Sequence, residues 1–246
     1  METQQSQQPT NQERRESRQE KKLDEQQSRK KIKILKLSGV WLVVILVVGG
    51  LTWGLARLSN RSSAGPIAFS VNVVSASDQI EGNREAETVL VEYSDFQCPA
   101  CGVYHPIIKQ ITKEFGGDIA FVYRHFPLRQ IHQNAELAAR AAEAAGKQGK
   151  FWEMHGLIFE NQKEWSNQRK AKEFFEQYAE SLGLNASQFK ADIDLREIKD
   201  KVNADYQSGL RFGVDATPTF FLNGERLQNP RSSEEFKSII QTAVFK

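Results

Sequence analysis

The chain has 246 residues, enough for one or two domains, with 39% hydrophobic and 26% charged residues and a net charge of +2. These fractions are those of an ordinary globular protein, and the near-neutral charge gives no reason to expect a nucleic-acid partner. The distribution of charge along the chain says more than the total.

Residues 1–36 carry ten Lys/Arg against six Asp/Glu and almost no large apolar residue before Ile32. Such a segment cannot bury enough surface to offset the entropy of ordering, so it reads as a disordered tail. A nucleic-acid or lipid-surface role for its basic residues is the rival reading, and the interspersed acids favour a solvated tail.

Leu37 to Ala56 then runs without a charge, LSGVWLVVILVVGGLTWGLA. About twenty apolar residues in a helix cross the hydrocarbon layer. Trp41 and Trp53 fall near the two ends, where indole rings favour the interface. Lys30, Lys31, Lys33 and Lys36 precede the run and only Arg57 and Arg61 follow closely. This asymmetry predicts a transmembrane helix over 37–58, with the 1–36 tail in the cytoplasm and the rest outside. A cleaved signal peptide would have an apolar core of only about 7–15 residues. A buried soluble helix would need a polar face, and Val-Val-Ile-Leu-Val-Val has none.

Residues 59–77 read as a linker, with 67–74 as an extended edge segment or first strand. The stretch from Asp78 to Glu85 is polar and turn-like. Thr88–Tyr93 is a β-branched, apolar strand interrupted by Glu92. Pro99–Phe115 is helical, with Val103, Ile107, Ile108, Ile111 and Phe115 on or near one face, and Gly116-Gly117 ends it. Ile119–His125 is a second strand. Asn134 to about Phe212 is a helical block. Thr219–Leu222, the turn Asn223-Gly224 and Glu225–Leu227 form a hairpin, and Ser233–Phe245 closes as an amphipathic helix.

The two cysteines are three apart, in Cys98-Pro99-Ala100-Cys101. A structural zinc site wants four ligands. None of His105, His125, His132 and His155 forms the close histidine pair that would complete one, so no metal is expected, nor any other cofactor. A purely structural disulfide between i and i+3 closes too short a loop to restrain the unfolded chain much. Redox chemistry is the better explanation. Pro favours the first helical position, which puts Cys98 at the N-cap. First-turn N–H groups and the helix dipole then favour its thiolate, the attacking species. A Cys98 pKa of about 5 would stabilise the thiolate at pH 7 by roughly 2.7 kcal/mol, about 60 mV in a two-electron couple.

Glu92 interrupts a strand otherwise apolar enough to be central and covered on both faces. An unpaired charge there costs several kcal/mol, and burial should raise its pKa towards neutrality. The bland alternative is a solvent-facing residue near an edge.

With these motifs in place the chain resembles the thioredoxin superfamily, and more closely its DsbA-like branch. The resemblance covers roughly 78–246. It rests on Val89-Leu90-Val91-Glu92-Tyr93-Ser94-Asp95-Phe96-Gln97-Cys98-Pro99-Ala100-Cys101, on Tyr123-Arg124-His125-Phe126-Pro127-Leu128, and on Phe151-Trp152-Glu153-Met154-His155. Gly213-Val214-Asp215-Ala216-Thr217-Pro218-Thr219-Phe220 completes it. It implies an α/β thioredoxin-like fold with a helical insertion. Cys98 would be the exposed nucleophile and Cys101 the buried resolving thiol. Pro218 would be the cis proline beside the sulfurs, with the backbone of Thr217 free to pair with substrate. Pro106 would kink the first helix. Glu92, six residues before Cys98, would be the acid under the active site that exchanges a proton with Cys101. The Pro-Ala dipeptide departs from the Pro-His of the strongly oxidising bacterial enzyme, which weakens any claim to extreme oxidising power.

The implied activity is that of a protein-disulfide oxidoreductase in a bacterial cell membrane. It would form disulfides in exported proteins with cysteine thiols and be reoxidised by a membrane redox partner or a small oxidant. A reductase or isomerase on the same fold and a non-catalytic substrate-binding or chaperone module are the two other hypotheses.

Overall fold

The computed structural model describes residues 71–246. The 1–36 tail, the 37–58 span and the first part of the linker lie outside the described residues. Among the described residues no helix is long and apolar enough to cross a membrane.

Two largely apolar strands build the centre. β2 (Thr88–Ser94) and β3 (Ile119–His125) are buried along their whole length and pair in parallel. A parallel pair needs a crossover, and α1 (Pro99–Phe115) supplies it, running through Pro106. β4 (Thr219–Leu222) pairs antiparallel with β2, and β5 (Glu225–Arg226) with β4. The turn between them is Asn223-Gly224, both at positive φ (50° and 92°), as a two-residue hairpin requires.

The fifth strand is a correction. β1 (Gln79–Gly82) pairs antiparallel with β3, inside the stretch whose composition reads as a turn. The sheet order is β1-β3-β2-β4-β5. Residues 71–74 form no strand, yet Val71 is buried, so this part of the expected linker packs into the folded unit.

The helical block comprises α2 (Ala135–Gly146), α3 (Phe151–Glu160), α4 (Gln162–Trp165), α5 (Ala171–Ser181), α6 (Ala186–Asp192) and α7 (Arg196–Arg211). α8 (Ser233–Val244) closes the chain; Ser232 Oγ accepts from the Glu235 N–H and the Glu235 carboxylate accepts from the Arg231 N–H.

Because strand side chains alternate, β2 and β3 send Leu90, Phe121 and Tyr123 into a core with α1 and the insertion. Val89, Val91, Tyr93, Ala120 and Val122 enter a second core on the opposite face, with Val71, Phe126 and Val214. On α1, Ile108, Ile111 and Phe115 are buried. Val103, expected on that face, is 66% exposed.

Candidate active site

Cys98 ends the loop after β2 and is the N-cap of α1, with Pro99 in the first turn. Polar contacts from distant segments hold this loop. Cys98 N–H donates to the Asp95 carbonyl at 3.0 Å. The buried Asp95 carboxylate accepts from the Gln97 N–H at 2.7 Å and from the Leu128 N–H at 2.8 Å, and His132 Nδ1 lies 2.7 Å from it. Gln97 accepts from the Asn134 N–H and donates to the Ser166 carbonyl, each at 2.8 Å. Gln162 Nε2 donates to the carbonyls of Phe96 (2.7 Å) and Cys98 (2.9 Å). The insertion is therefore a scaffold for the cysteine loop. Sequence reasoning missed Gln97, Asn134 and Gln162 as contributors, since an isolated amide side chain leaves no periodic trace.

Pro99 and Ala100 are exposed, but Cys98 keeps only 7% of its surface and Cys101 none. This corrects the expectation of an exposed nucleophile. Chain from the far end of the fold covers Cys98: its thiol can donate to the Thr217 carbonyl at 3.4 Å, and the Thr217–Pro218 bond is cis.

The two thiols are driven apart. The Cys98 pKa falls to about 5. The Cys101 S–H bonding to the Cys98 thiolate is the largest cause, ahead of burial, which opposes it. The Thr217 hydroxyl and the backbone N–H groups of Cys101 and Ala100 lower it further. Burial pushes the Cys101 thiol well up, reinforced by its bond to Cys98 and by the charges of Cys98 and Glu92.

Glu92 lies on β2, paired across to Tyr123 of β3 and Phe220 of β4, and is 4% exposed. Burial raises its pKa to about 7, the Ser94 hydroxyl partly opposing and the Cys98 charge adding to the rise. A carboxyl poised near neutrality can hold or release a proton at physiological pH.

His105 and His155 face each other with ring centroids 5.3 Å apart, and burial lowers both pKa values. They pack with Phe159 and line a small cavity of about 70 Å³. His125, Glu143 and Asp205 form the one buried group among the described residues with ligand atoms close enough to share a metal ion. Lys201 already supplies positive charge there, 2.5 Å from Asp205 and 3.9 Å from Glu143.

A family model described as thioredoxin matches residues 75–242. The solved structure of oxidised BdbD from Bacillus subtilis is similar at a TM-score of 0.61 and 25% identity, over 69% of this chain and 94% of that one. DsbA1 of Wolbachia pipientis shares the fold at a TM-score of 0.61 and 20% identity, over 69% and 92% of the two chains. Among curated proteins, the Na(+)/H(+) antiporter NhaA 3 of Salinispora tropica is 36% identical over 203 residues, 82% of this chain. The chain spans only 30% of that antiporter, whose transport activity is a property of the longer protein. The chain belongs to the thioredoxin family and shares its fold with BdbD and DsbA1.

Proposed function

We propose that this chain is a membrane-anchored protein-disulfide oxidoreductase that forms disulfides in exported proteins through Cys98 and Cys101. The supporting observation is the contrast within one Cys-Pro-Ala-Cys turn. Cys98 sits at a helix N-cap with its pKa lowered to about 5, and the buried Cys101 with its pKa raised. The apolar run at 37–56 and its flanking lysines support an anchor with the catalytic domain outside.

In the oxidising direction a substrate thiolate attacks Cys98 Sγ. The Cys98–Cys101 bond breaks, and Cys101 Sγ leaves with the electron pair. With its high pKa it takes a proton, which Glu92 supplies. A second substrate thiolate then attacks the substrate sulfur of the mixed disulfide, and Cys98 leaves as a thiolate, favoured by its low pKa. The substrate has lost two electrons and the enzyme has gained them. A membrane partner or a small disulfide oxidant takes them back. Thr217 and Pro218, against Cys98, form the surface where the substrate backbone pairs.

The test is trapping in cells. Cys101→Ser should accumulate mixed disulfides with exported proteins through Cys98, and Cys98→Ser should accumulate none. Equal trapping by both variants would contradict the assignment. A measured reduction potential separates the oxidase from a reductase or isomerase. A chaperone role would survive loss of both thiols.

A further inference from the structure

The short segment after the β4–β5 hairpin, residues 227–231, is tied to several parts of the fold. At one end the Leu227 N–H donates to the Phe220 carbonyl of β4 at 2.9 Å. At the other the Arg231 N–H donates to the Glu235 carboxylate of α8 at 2.6 Å. Between them the Pro230 carbonyl accepts from Tyr104 Oη at 2.6 Å, and Asn229 Nδ2 donates to the Pro218 carbonyl at 2.8 Å. Tyr104 belongs to α1, three residues past Cys101, and its ring packs on Phe220 and Phe236 with centroids 5.3 and 6.5 Å away. On the other side of the turn Thr219 Oγ1 donates to the Ala216 carbonyl at 2.8 Å. The Thr217 carbonyl, 3.4 Å from Cys98 Sγ, thus lies between two carbonyls that side chains hold. These contacts close a circuit. It runs from Cys98 along α1 to Tyr104, through residues 229–230 to Pro218, and back through Thr217 to Cys98. Asn229 is exposed, so water can replace its bond and the gain in stability is small. What the bond decides is where the Pro218 backbone sits.

We infer that Asn229 and Tyr104 are positioning residues for substrate: together they tie the Thr217–Pro218 backbone to the helix that carries the cysteines. They thereby fix where an incoming peptide lies when its thiolate meets Cys98 Sγ. The inference rests on the reading of Thr217 and Pro218 as the surface where substrate backbone pairs, and adds what sets that surface against the sulfur. A peptide paired along Thr217 has its register fixed by the turn. Its sulfur must arrive in line with the Cys98–Cys101 bond, and a misplacement of about 1 Å can cost on the order of 100-fold in rate. A small thiol makes no backbone pairing, so it finds its own approach and does not feel the position of the turn. Neither Asn229 nor Tyr104 touches the reacting atoms. What they control is the preference for a peptide thiol over a small one.

The test is reduction of the Cys98–Cys101 disulfide in the full-length chain by an uncharged cysteine peptide and by 2-mercaptoethanol. The readout is the ratio of the two second-order rate constants, each per thiolate. The proteins are the wild type, Asn229→Asp, Tyr104→Phe and the double variant. Asn229→Asp keeps the shape and replaces the donor by an acceptor facing the Pro218 carbonyl. Tyr104→Phe keeps the ring against Phe220 and Phe236, so the fold should stand in both. The ratio should fall by about tenfold in Asn229→Asp and about threefold in Tyr104→Phe. Because both act through one segment, the double variant should stay near Asn229→Asp. Losses that multiply in the double variant would overturn the shared circuit, and a wild-type ratio in Tyr104→Phe would overturn the tie to α1. Equal slowing with both thiols would mean the residues act on the disulfide itself, and would overturn the positioning role. So would wild-type rates in every variant. A wild type that reacts no faster with the peptide than with 2-mercaptoethanol would remove the pairing surface, and the inference with it.

Discussion

Two buried charges on opposite faces of the β2–β3 pair, Arg124 and Glu92, are held in opposite ways. On one face Arg124 is fully engaged. It donates to both Asp78 oxygens (3.1 and 2.8 Å), to the carbonyls of Val71 (3.0 Å) and Val73 (2.9 Å), and to Tyr93 Oη (3.1 Å). Burial alone would raise the Asp78 pKa, but the bonds and charge of Arg124, with the Ser75 N–H and the charge of Lys201, hold the carboxyl below its usual range. On the other face, among the described residues, Glu92 has no ion-pair partner, and the nearby Ser94 and Tyr123 hydroxyls have none of the short hydrogen bonds that hold Arg124. The satisfied cluster fastens the segment before β1 to the sheet. The unsatisfied one lies under the cysteines. A buried charge is thus better evidence of chemistry when its partners are missing than when they are present.

Breaking the pair on the structural face by removing one partner should have the largest effect. Arg124→Met leaves Asp78 buried and unpaired, which costs about 3–5 kcal/mol. Chemical denaturation at pH 7 should show this loss, and proteolysis should begin near residues 71–78. A loss confined to a few tenths would mean the cluster is not the fastening described.

Glu92→Gln should move stability the other way. A carboxyl with a raised folded-state pKa loses stability as pH climbs from its unfolded value near 4.5 to about 7, and the loss persists above. The reduced Gln variant should therefore gain up to about 3 kcal/mol over wild type at pH 8, falling towards nothing at pH 4. A gain independent of pH would contradict the raised pKa.

The same substitution on the two faces should differ most finely. Tyr93 Oη is bonded to Ser208 Oγ at 2.8 Å and to Arg124, so Tyr93→Phe should cost about 1 kcal/mol. Tyr123→Phe removes an orphaned oxygen and should leave stability unchanged or slightly raised. Equal costs in paired melts would erase the contrast.

The face that carries the chemistry was the more legible in the sequence. Cys98-Pro99-Ala100-Cys101 declares an N-cap locally, and Glu92 stands out because its neighbours are apolar. The helical block and the Asn223-Gly224 hairpin follow from periodicity and turn chemistry. The other face left little signal. Asp78 and Arg124 are 46 residues apart, and neither is unusual in its local context. β1 has only four residues, Gln-Ile-Glu-Gly, and is a strand because β3 offers it an edge. The clamp from Gln97 to Asn134 and Ser166, and that from Gln162 to the cysteine loop, likewise depend on contacts the fold creates. Ser94 and Tyr123 read as ordinary strand residues until the structure places them beside Glu92.

The proposed chemistry depends most on the asymmetry of the two thiols. Alkylation of the reduced protein across pH 3 to 10, followed by mass mapping of the modified cysteine, tests it most directly. One fast-reacting thiol is expected, Cys98, with a midpoint near 5, and Cys101 should stay unmodified through neutral pH. A midpoint for Cys98 near the ordinary thiol value of about 8.5, or modification of Cys101 at the same rate, would contradict it.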